Sequence, residues 1–312
     1  MRISVGGLAM HFVVIGGSGF IGREIVNEIH RRGQRVTVVG RKSCDLYDRG
    51  SLARHLSVIS PDAVINAAGY VGRPNVDACE SNKSECLAAN SVLPGVIASA
   101  CQMNALPWGH VSSGCIYSSA SSNSSSFSES DAPNFTFRKG PCSFYSGTKA
   151  LGEEILRTCQ DCYIWRIRIP FSNRDCQKNY LTKLMNYDRL LEATNSLSNL
   201  DEFVSATLDC FQKQVPFGTY NLTNPGAIST MEVVDLIRQS GIMNREFKFF
   251  RSEQEFMSLA AKTPRSNCVL DTSKASDAGL VMSPIRESLK KALQTWVTQD
   301  HRSSSLQFPV AA

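Results

Sequence analysis

The sequence predicts an α/β protein, organised as a doubly wound parallel sheet with a smaller C-terminal α/β region. Short apolar runs alternate with helical patterns along the first half of the 312-residue chain, and a glycine-rich turn follows the first run. Because parallel strands need a helical crossover to start again from the same edge, this alternation is typical of a parallel sheet with helices on both faces.

The apolar runs predict the strands, and the amphipathic or capped stretches predict the helices. In the first half we expect strands at 11–16, 35–40, 63–69, 107–113 and 162–170. The helices between them are expected at 20–32, 50–58, 84–104 and 143–158. The pattern is less regular after Pro170, where we expect a late strand at 218–224 and helices at 229–239 and 283–297.

Two segments lack a regular pattern. Residues 118–133, "SSASSNSSSFSESDAP", are low in complexity and predict an exposed loop. Residues 301–312 show no helical period, and we expect them to form a disordered tail.

Composition narrows the class of protein. The chain is 42% hydrophobic and 20% charged, which provides a core for one large or two modest units. The net charge of +5 is scattered, without a basic run interleaved with aromatic residues, so we expect no nucleic-acid partner. No uninterrupted apolar stretch reaches the roughly 18 to 20 residues of a membrane span. The start leads straight into the first strand and does not resemble a signal peptide. We therefore expect a cytoplasmic protein without a membrane partner.

The eleven cysteines are odd in number and irregularly spaced, which argues against a disulfide framework. Cys159 and Cys162 form a CxxC motif, but no second pair follows at the spacing of a zinc site. We expect the motif to span the end of a helix and the start of a buried strand. No metal site is predicted.

The glycine-rich turn lies between the first strand and the first helix. Gly16, Gly19 and Gly22 fit GxxGxxG, which permits a tight turn and lets backbone N–H groups approach a pyrophosphate. At the start of a βαβ unit, this pattern predicts a Rossmann-type dinucleotide site. The expected cofactor contacts are Gly16, Gly19, Phe20, Ile21, Gly22, Arg41, Asp45, Leu46, Ala67, Ala68, Tyr145 and Lys149.

The end of the second strand indicates which dinucleotide binds. An NAD site places an acidic residue there for the ribose 2′-hydroxyl, whereas this chain has Gly40 followed by Arg41 and Lys42. Two cations favour a 2′-phosphate, so we predict NADPH rather than NADH.

Tyr145 and Lys149 form a YxxxK motif, and residues four apart share one face of a helix. An ammonium group beside a phenol favours the phenolate, so we expect Lys149 to lower the pKa of Tyr145. Together with the glycine turn, "NAAG" at 66–69 and Ser113 at the end of the fourth strand, the motif resembles the extended short-chain dehydrogenase/reductases. That resemblance implies that Ser113 hydrogen-bonds a substrate carbonyl.

Longer motifs narrow the resemblance. "NAAGYVGRPNVDACE", "SSGCIY", "FYSGTKALGEE" and "RIRIPF" resemble sugar-nucleotide 4-keto reductases related to dTDP-4-dehydrorhamnose reductase. "NYLTKLMNYDRLLEATNSLSNLDEFV", "GTYNLTNPGAIS" and "TPRSNCVLDTSK" resemble the bifunctional 3,5-epimerase/4-reductases of UDP-rhamnose synthesis. The implied activity converts UDP-4-keto-6-deoxy-D-glucose to UDP-β-L-rhamnose with NADPH.

The resemblance also implies two epimerisation residues. Cys115 follows Ser113 by two positions, as in the similar GDP-fucose synthases, and Lys183 stands in the segment matching "NYLTK". On an extended strand both Ser113 and Cys115 would project to the same side. We expect Cys115 to be partly thiolate beside Lys149 and a cationic cofactor ring. Burial as a small apolar residue is the alternative for Cys115, and an exposed helix charge is the alternative for Lys183.

The expected substrate-binding residues are Arg73, Asn75, Asn90, Asn179 and Arg265. Arg265 is a candidate for the nucleotide phosphates, because a guanidinium can bind two oxygens at once. For Asn90, structural hydrogen bonding is an equally good interpretation.

The predicted organisation is a cofactor domain over residues 1–170, carrying Ser113, Tyr145 and Lys149, and a substrate region over 171–300 that is partly interleaved with it. Three alternatives stay open: a dTDP-4-dehydrorhamnose reductase, a GDP-fucose-synthase-like enzyme, and an NADPH-binding regulatory subunit without turnover, as the methionine adenosyltransferase regulatory subunit resembles these reductases. The sequence does not decide between UDP, dTDP and GDP, and it leaves a homodimer open.

Overall fold

The computed structural model describes residues 9–73, 75–119 and 126–298. Its strands are β1 (His11–Ile15), β2 (Arg35–Val39), β3 (Ala63–Asn66), β4 (Trp108–Ser113), β5 (Cys162–Ile167), β6 (Pro170–Phe171), β7 (Arg189–Leu190), β8 (Thr194–Asn195), β9 (Ser198–Asn199), β10 (Gly218–Asn221), β11 (Ile228–Ser229) and β12 (Lys248–Phe249). Its helices are α1 (Phe20–Arg31), α2 (Arg49–Ile59), α3 (Lys83–Leu87), α4 (Leu93–Met103), α5 (Phe144–Leu156), α6 (Tyr180–Asn186), α7 (Leu200–Gln212), α8 (Thr230–Ser240), α9 (Glu253–Leu259), α10 (Ser273–Asp277) and α11 (Ile285–Gln294).

Six strands form one parallel sheet in the order β10-β5-β4-β3-β1-β2. The chain runs from β1 outward to β2 and then crosses back to β3 on the other side of β1. In a doubly wound sheet, such a reversal opens a crevice at the carboxyl ends of the two strands, where ligands bind. The predicted fold class is confirmed, with the crevice at the ends of β1 and β3.

The core lies on both faces of this sheet. All five residues of β1 are buried. Phe12 and Val14 belong to the apolar cluster that includes residues of α1 and α7, whereas Val13 and Ile15 belong to the cluster of α2 and α4. Strand residues alternate between faces, so a strand covered by helices on both sides is apolar throughout.

The later part of the chain forms three two-stranded sheets, pairing β11 with β8, β12 with β7, and β6 with β9. A separate apolar cluster that includes Leu181, Val233 and Leu289 joins α6, α8 and α11. Two elements of this part nevertheless contact the first half: β10 extends the main sheet beside β5, and Asp209 of α7 pairs with Arg32 after α1 at 2.6 Å. The boundary at residue 170 stays a prediction.

The expectation of an exposed serine-rich loop is wrong at Phe127. Its side chain is buried and stacks on Tyr117 with ring centroids 4.6 Å apart, because an aromatic ring gains more by burial than the surrounding serines do. Residues 120–125 of this segment and the predicted tail at 301–312 lie outside the described residues.

The described residues include one helical stretch, Lys83–Met103, whose length and composition would allow a membrane span. The sequence criterion missed it because polar residues interrupt the apolar ones. In this structure, a π-helical turn, Ala88–Val92, connects α3 to α4, and Leu93, Ile97 and Ala100 are buried in the core.

Candidate active site

Close backbone contacts shape the turn between β1 and α1. Gly16 has a φ of 81°, and a Cβ there would lie 2.5 Å from the amide nitrogen of Ala68. A Cβ at Gly22 would lie 2.2 Å from the carbonyl oxygen of Gly16, so side chains are excluded at both positions. Helix α1 then begins without a side-chain cap and without an acidic residue in its first turn. The amide groups of Phe20 and Ile21 therefore fit a diphosphate group.

The segment after β3 links this turn to the catalytic helix. Asn66 accepts a hydrogen bond from the Ala68 amide at 3.0 Å and contacts the His110 ring at 3.0 Å. At Gly69, a Cβ would meet Asn90 Oδ1 at 3.1 Å and Lys149 Nζ at 3.4 Å. The predicted cofactor residues after β3 thus lie between the glycine turn and the lysine of α5.

Ser113, Cys115 and Tyr145 lie in contact at the carboxyl end of β4. The Ser113 hydroxyl accepts from the Cys115 amide at 3.2 Å, and Tyr145 packs against the apolar cluster that contains Cys115. Ser113 lies near enough to both groups to lower the pKa of the Tyr145 phenol and of the Cys115 thiol. The strand ends at Ser113, and Cys115 lies in a 3-10 turn, Gly114–Ile116. The expectation that an extended strand aligns the two side chains is therefore wrong, because the 3-10 turn produces the contact instead.

The pKa of the Tyr145 phenol is shifted in the direction opposite to the expectation. Part of the residue is exposed, but its hydroxyl end is enclosed, and burial raises the pKa of Tyr145 well above its usual value. The hydrogen bond from Ser113 lowers it less than burial raises it. The predicted lowering by Lys149 is wrong, since desolvation of the phenolate dominates. Tyr145 is therefore a protonated phenol at neutral pH.

Lys149 is held beneath the site by the sheet. Its side chain is buried, and Nζ donates to the Val111 carbonyl oxygen of β4 at 3.2 Å. Burial lowers the pKa of Lys149, and Cys115 and Glu153 act in the opposite direction. Its position one helical turn after Tyr145 agrees with the YxxxK spacing.

Cys115 is a buried thiol that is 6% exposed. Burial raises its pKa, and hydrogen bonds from Ser113 and Ser146 offset this only in part. The expectation of a partly formed thiolate is therefore wrong, because the apolar surroundings, including Leu270 and Cys268, disfavour the anion. A neutral thiol is a proton donor.

A buried ion pair, which the sequence did not reveal, supports α5 from behind. Glu153 accepts from Arg166 of β5 at 2.7 Å and from the Ser112 hydroxyl at 2.5 Å. Arg166 also lies 5.2 Å from the Tyr117 ring centroid. Since Glu153 follows Lys149 by one turn, the pair holds the catalytic helix against the ends of β4 and β5.

Lys183 lies on α6 with its side chain half-buried. Burial lowers the pKa of Lys183, and the nearby Lys178 lowers it further. Among the residues that the structure describes, no hydrogen bond to its ammonium group is made. The alternative of an exposed helix charge does not fit this partial burial, and the role of Lys183 stays a prediction.

Arg168 is a second residue that sequence reasoning missed. It is 6% exposed, donates to Asn195 at 2.6 Å and to the Ser266 carbonyl, and its charge lowers the pKa of both Cys115 and Tyr180. Because Tyr180 begins α6, Arg168 lies within electrostatic range of both the Cys115 thiol and the helix of Lys183. The alternating "RIRI" at the end of β5 was its only signal in the sequence.

Two predicted substrate residues have structural roles. Asn179 is fully buried and caps α6, accepting from the Leu181 amide at 3.1 Å and donating to the Ser172 and Arg174 carbonyls. These contacts use its amide group and favour a structural role for Asn179, and its substrate role stays a prediction. Asn90 is also fully buried and exchanges hydrogen bonds with the backbone of Tyr70, which favours the structural interpretation.

Of the remaining candidates, Arg265 forms a bidentate ion pair, and Arg73 and Asn75 lie beside it. Arg265 binds both carboxylate oxygens of Asp77 at 2.7 Å. Burial alone would raise the pKa of Asp77, but its hydrogen bonds and the charge of Arg265 lower it overall. Asn75 caps the short helix that carries Asp77, and Arg73 is exposed just before it. The structure thus brings Arg265 close to the "GRPNVD" segment, although 188 residues separate the ion-pair partners.

The segment after β2 presents its charges outward. Arg41 and Lys42 are exposed, as is Asp45, which accepts from the Tyr47 amide at 2.9 Å. Leu46 is buried against the core. The two exposed cations after β2, Arg41 and Lys42, fit a 2′-phosphate group.

The parallel sheet, its glycine turn and the Ser113, Tyr145 and Lys149 set define a Rossmann-type protein of the short-chain dehydrogenase/reductase class. A family model described as "RmlD substrate binding domain" matches residues 10–298. The chain belongs to this family, which confirms the predicted resemblance.

Two relatives from Arabidopsis thaliana are each 32% identical to this chain. A bifunctional dTDP-4-dehydrorhamnose 3,5-epimerase/dTDP-4-dehydrorhamnose reductase matches over 288 residues, covering 91% of this chain and 92% of the relative. A trifunctional UDP-glucose 4,6-dehydratase/UDP-4-keto-6-deoxy-D-glucose 3,5-epimerase/UDP-4-keto-L-rhamnose-reductase matches over 289 residues, covering 91% of this chain. The chain spans 41% of the length of that trifunctional relative.

Solved structures show the same fold. The UDP-rhamnose synthase of Acanthamoeba polyphaga mimivirus has a TM-score of 0.83 at 26% identity, covering 92% of this chain and 99% of that one. The dTDP-4-dehydrorhamnose reductase of Bacillus anthracis, in complex with NADP, has a TM-score of 0.77 at 15% identity, covering 93% of this chain and 99% of that one.

Proposed function

We propose that the protein is a bifunctional nucleotide-sugar 3,5-epimerase/4-keto reductase, which converts UDP-4-keto-6-deoxy-D-glucose to UDP-β-L-rhamnose with NADPH. The observation that carries this proposal is that Ser113, Tyr145 and Cys115 lie together at the end of β4, where the Ser113 hydroxyl accepts from the Cys115 amide and Tyr145 packs against the apolar cluster that contains Cys115. A 4-keto reductase needs only the serine and the phenol. The thiol adds a second proton donor, which epimerisation requires at the carbons beside that carbonyl group. The names of the relatives support both activities.

NADPH, when bound, supplies a hydride to C4 of the sugar. The residues that would hold it are the glycine turn from Gly16 to Gly22, Ala67 and Ala68 after β3, and Arg41 after β2. Ser113 donates a hydrogen bond to the C4 carbonyl oxygen and orients it. Tyr145 is protonated because burial raises its pKa, so it gives its proton to that oxygen as the alcohol forms.

The same oxygen serves the epimerisation. Hydrogens at C3 and C5 are acidic because both carbons are adjacent to the ketone at C4. Removing either one produces an enolate whose negative charge lies on the C4 oxygen. Hydrogen bonds from Ser113 and Tyr145 stabilise this charge in a site that is largely closed to water.

Burial assigns the acid and the base. The pKa of Lys183 is lowered, so a larger fraction of its amine is neutral and able to accept a proton. The pKa of Cys115 is raised, so its thiol is a donor. Opposite shifts of two titratable groups are characteristic of an acid–base pair. At each carbon, Lys183 removes the proton, Cys115 delivers one to the opposite face, and both groups then exchange protons with solvent.

Turnover distinguishes this proposal from its alternatives. Purified protein is mixed with UDP-4-keto-6-deoxy-D-glucose and NADPH, the cofactor absorbance is followed, and the product is identified by NMR. We expect NADPH consumption and UDP-β-L-rhamnose in equal amounts. Reduction of an already epimerised keto sugar alone would leave a 4-keto reductase of the dTDP-4-dehydrorhamnose reductase type. NADPH binding without consumption with any UDP, dTDP or GDP keto sugar would favour the regulatory alternative.

The cytoplasmic location and the homodimer stay predictions. A sedimentation velocity measurement on the purified chain tests the homodimer, because it distinguishes a monomer from a dimer by mass.

A further inference from the structure

The CxxC motif lies at the opposite edge of the sheet from Ser113. Cys162 is the first residue of β5 and pairs in register with Trp108, the first residue of β4, whereas Ser113 is the last residue of β4. Cys159 follows α5, and its amide donates to the Leu156 carbonyl at 2.9 Å. Six strand residues span about 17 Å at roughly 3.3 Å per residue, so the motif is separate from the active site.

The two thiols differ in access and in their hydrogen bonds. Cys162 is 2% exposed within an apolar cluster, whereas Cys159 is half-buried between the exposed residues Thr158 and Gln160. The Trp108 indole N–H donates to Cys159 Sγ at 3.4 Å, whereas the Cys162 thiol donates to the carbonyl oxygen of Tyr163 at 3.3 Å. The accessible sulfur is therefore a hydrogen-bond acceptor, and the buried thiol is a donor.

These contacts set the ionisation of the pair. The neighbouring Cys162 thiol, followed by the Trp108 indole, lowers the pKa of Cys159 to about 6, against the opposite effect of burial. Burial raises the pKa of Cys162 well above its usual value. An accessible thiolate beside a sealed thiol is the arrangement in which the first attacks a disulfide and the second resolves the product.

Another adjacent thiol pair provides an internal comparison. Cys79 lowers the pKa of Cys86 to about 7, and Cys86 Sγ lies 3.4 Å from Thr148 Oγ1 of α5, but both thiols are fully buried. A reagent cannot reach them without local unfolding. Within the described parts of the chain, no three His, Cys, Asp or Glu side chains converge as a metal site, so a metal-binding role for Cys159 and Cys162 has no third ligand.

We propose that Cys159 and Cys162 form a reversible thiol–disulfide site that reacts with low-molecular-weight disulfides, and this proposal does not rest on the proposed function. The Cys159 thiolate attacks one sulfur of glutathione disulfide, forms a mixed disulfide and releases one glutathione thiolate. The Cys162 thiol then loses its proton to solvent and attacks the Cys159 sulfur, which releases the second glutathione. The protein pair is oxidised by two electrons, and glutathione disulfide is reduced to two thiols.

The native full chain tests this directly. It is incubated with glutathione disulfide, the remaining thiols are alkylated, and the masses of the tryptic peptides are measured by mass spectrometry. Cleavage after Arg157 and Arg166 places both cysteines in one peptide, residues 158–166. We expect this peptide to lose the mass of two hydrogens and to regain it with dithiothreitol, while Cys79 and Cys86 stay reduced. A stable glutathione adduct at Cys159, or no reaction there, would overturn the proposal.

Variants and pH sharpen the test. The Cys162→Ser variant should accumulate the mixed disulfide between Cys159 and glutathione. The Cys159→Ser variant should not react with glutathione disulfide at this site. A matched control is Cys142→Ser, which removes another half-buried thiol whose pKa is raised by burial. In the native protein, the alkylation rate of Cys159 should reach its plateau by about pH 7.5, because the thiolate forms above its lowered pKa. Alkylation of Cys142 should still increase above pH 9, and identical profiles for the two thiols would contradict the assignment.

Discussion

The two sides of the proposed active site are built from different kinds of contact. On the cofactor side, backbone fits against backbone, as Gly16 does against Ala68, and Lys149 is buried against the sheet. On the side where we propose that the substrate binds, charged side chains hold each other, and Arg265 is engaged by Asp77. The cofactor side is therefore preformed, whereas a nucleotide diphosphate bound by Arg265, as we propose, would compete with Asp77 for the guanidinium group. Substitutions on the two sides should change different kinetic constants.

The largest effect is expected at Tyr145. Tyr145→Phe removes the proton donor for the C4 oxygen, so kcat for reduction should fall by about 10³-fold, within the range of general acid catalysis. The NADPH dissociation constant, measured by fluorescence titration, should change little. Tyr220→Phe is the control, since that hydroxyl donates to the Pro216 carbonyl outside the site. A Tyr145→Phe variant that retained its kcat would exclude this role.

The next largest effect separates the two activities. Cys115→Ala removes the thiol and should slow epimerisation by about 10²-fold, measured as deuterium incorporation at C3 and C5. Reduction of an already epimerised 4-keto sugar should be retained, because Ser113 and Tyr145 are intact. Equal losses in both activities would show that Cys115 supports the fold of the site rather than the proton transfer.

On the substrate side, Arg265→Gln should raise the KM for the nucleotide sugar by about tenfold and leave kcat nearly unchanged, because a charge-assisted contact to phosphate is lost. Asp77→Asn frees the guanidinium and should lower this KM or leave it unchanged. Arg238→Gln, on the exposed face of α8, is the control. A lowered kcat with an unchanged KM in Arg265→Gln would place this arginine elsewhere in the mechanism.

A smaller effect on the cofactor side tests NADPH selectivity. The double variant Arg41→Ala and Lys42→Ala removes both cations after β2 and should raise the KM for NADPH by about tenfold, as expected for one lost ionic contact. The KM for NADH is the internal control and should change little, because NADH lacks the 2′-phosphate. Equal changes for both cofactors would contradict the assignment.

The smallest effect concerns stability. The folded pKa of Asp77 lies below its unfolded value, so its ionised form stabilises the fold above about pH 4 and this contribution is lost as the pH falls through the folded pKa. Asp77→Asn should therefore lower the free energy of unfolding by about 1 kcal/mol or less at pH 7. The difference from the wild type should vanish in acid. Asp235→Asn removes an exposed carboxylate 3.5 Å from Arg238 and should have no measurable effect.

Local patterns predicted the cofactor side well. The apolar run of β1, the glycine turn and the YxxxK spacing are encoded by neighbouring residues, and the six strands of the main sheet lie within the predicted segments. The N-cap of α6 could also have been predicted from the sequence, because Asn179 immediately precedes the helix and asparagine is favoured at that position. Its assignment to substrate ignored this signal.

Contacts between distant segments were not predictable in the same way. The pairing of Arg265 with Asp77 and the position of Arg168 near Cys115 depend on how separate elements pack. The pKa values of Tyr145 and Cys115 follow from burial, which a motif does not report. For both groups, the direction of the pKa shift predicted from the sequence was wrong, and their roles stay predictions.

The most direct test of the central claim is proton exchange without reduction. Wild-type protein is incubated with UDP-4-keto-6-deoxy-D-glucose in deuterated water without NADPH, and C3 and C5 are followed by NMR beside a parallel sample of Cys115→Ala. The account predicts deuterium at both carbons with the wild type, about 10²-fold slower incorporation with the variant, and UDP-β-L-rhamnose only after NADPH is added. Reduction without exchange at C3 and C5 would contradict it and leave a 4-keto reductase with a buried, inert thiol at Cys115.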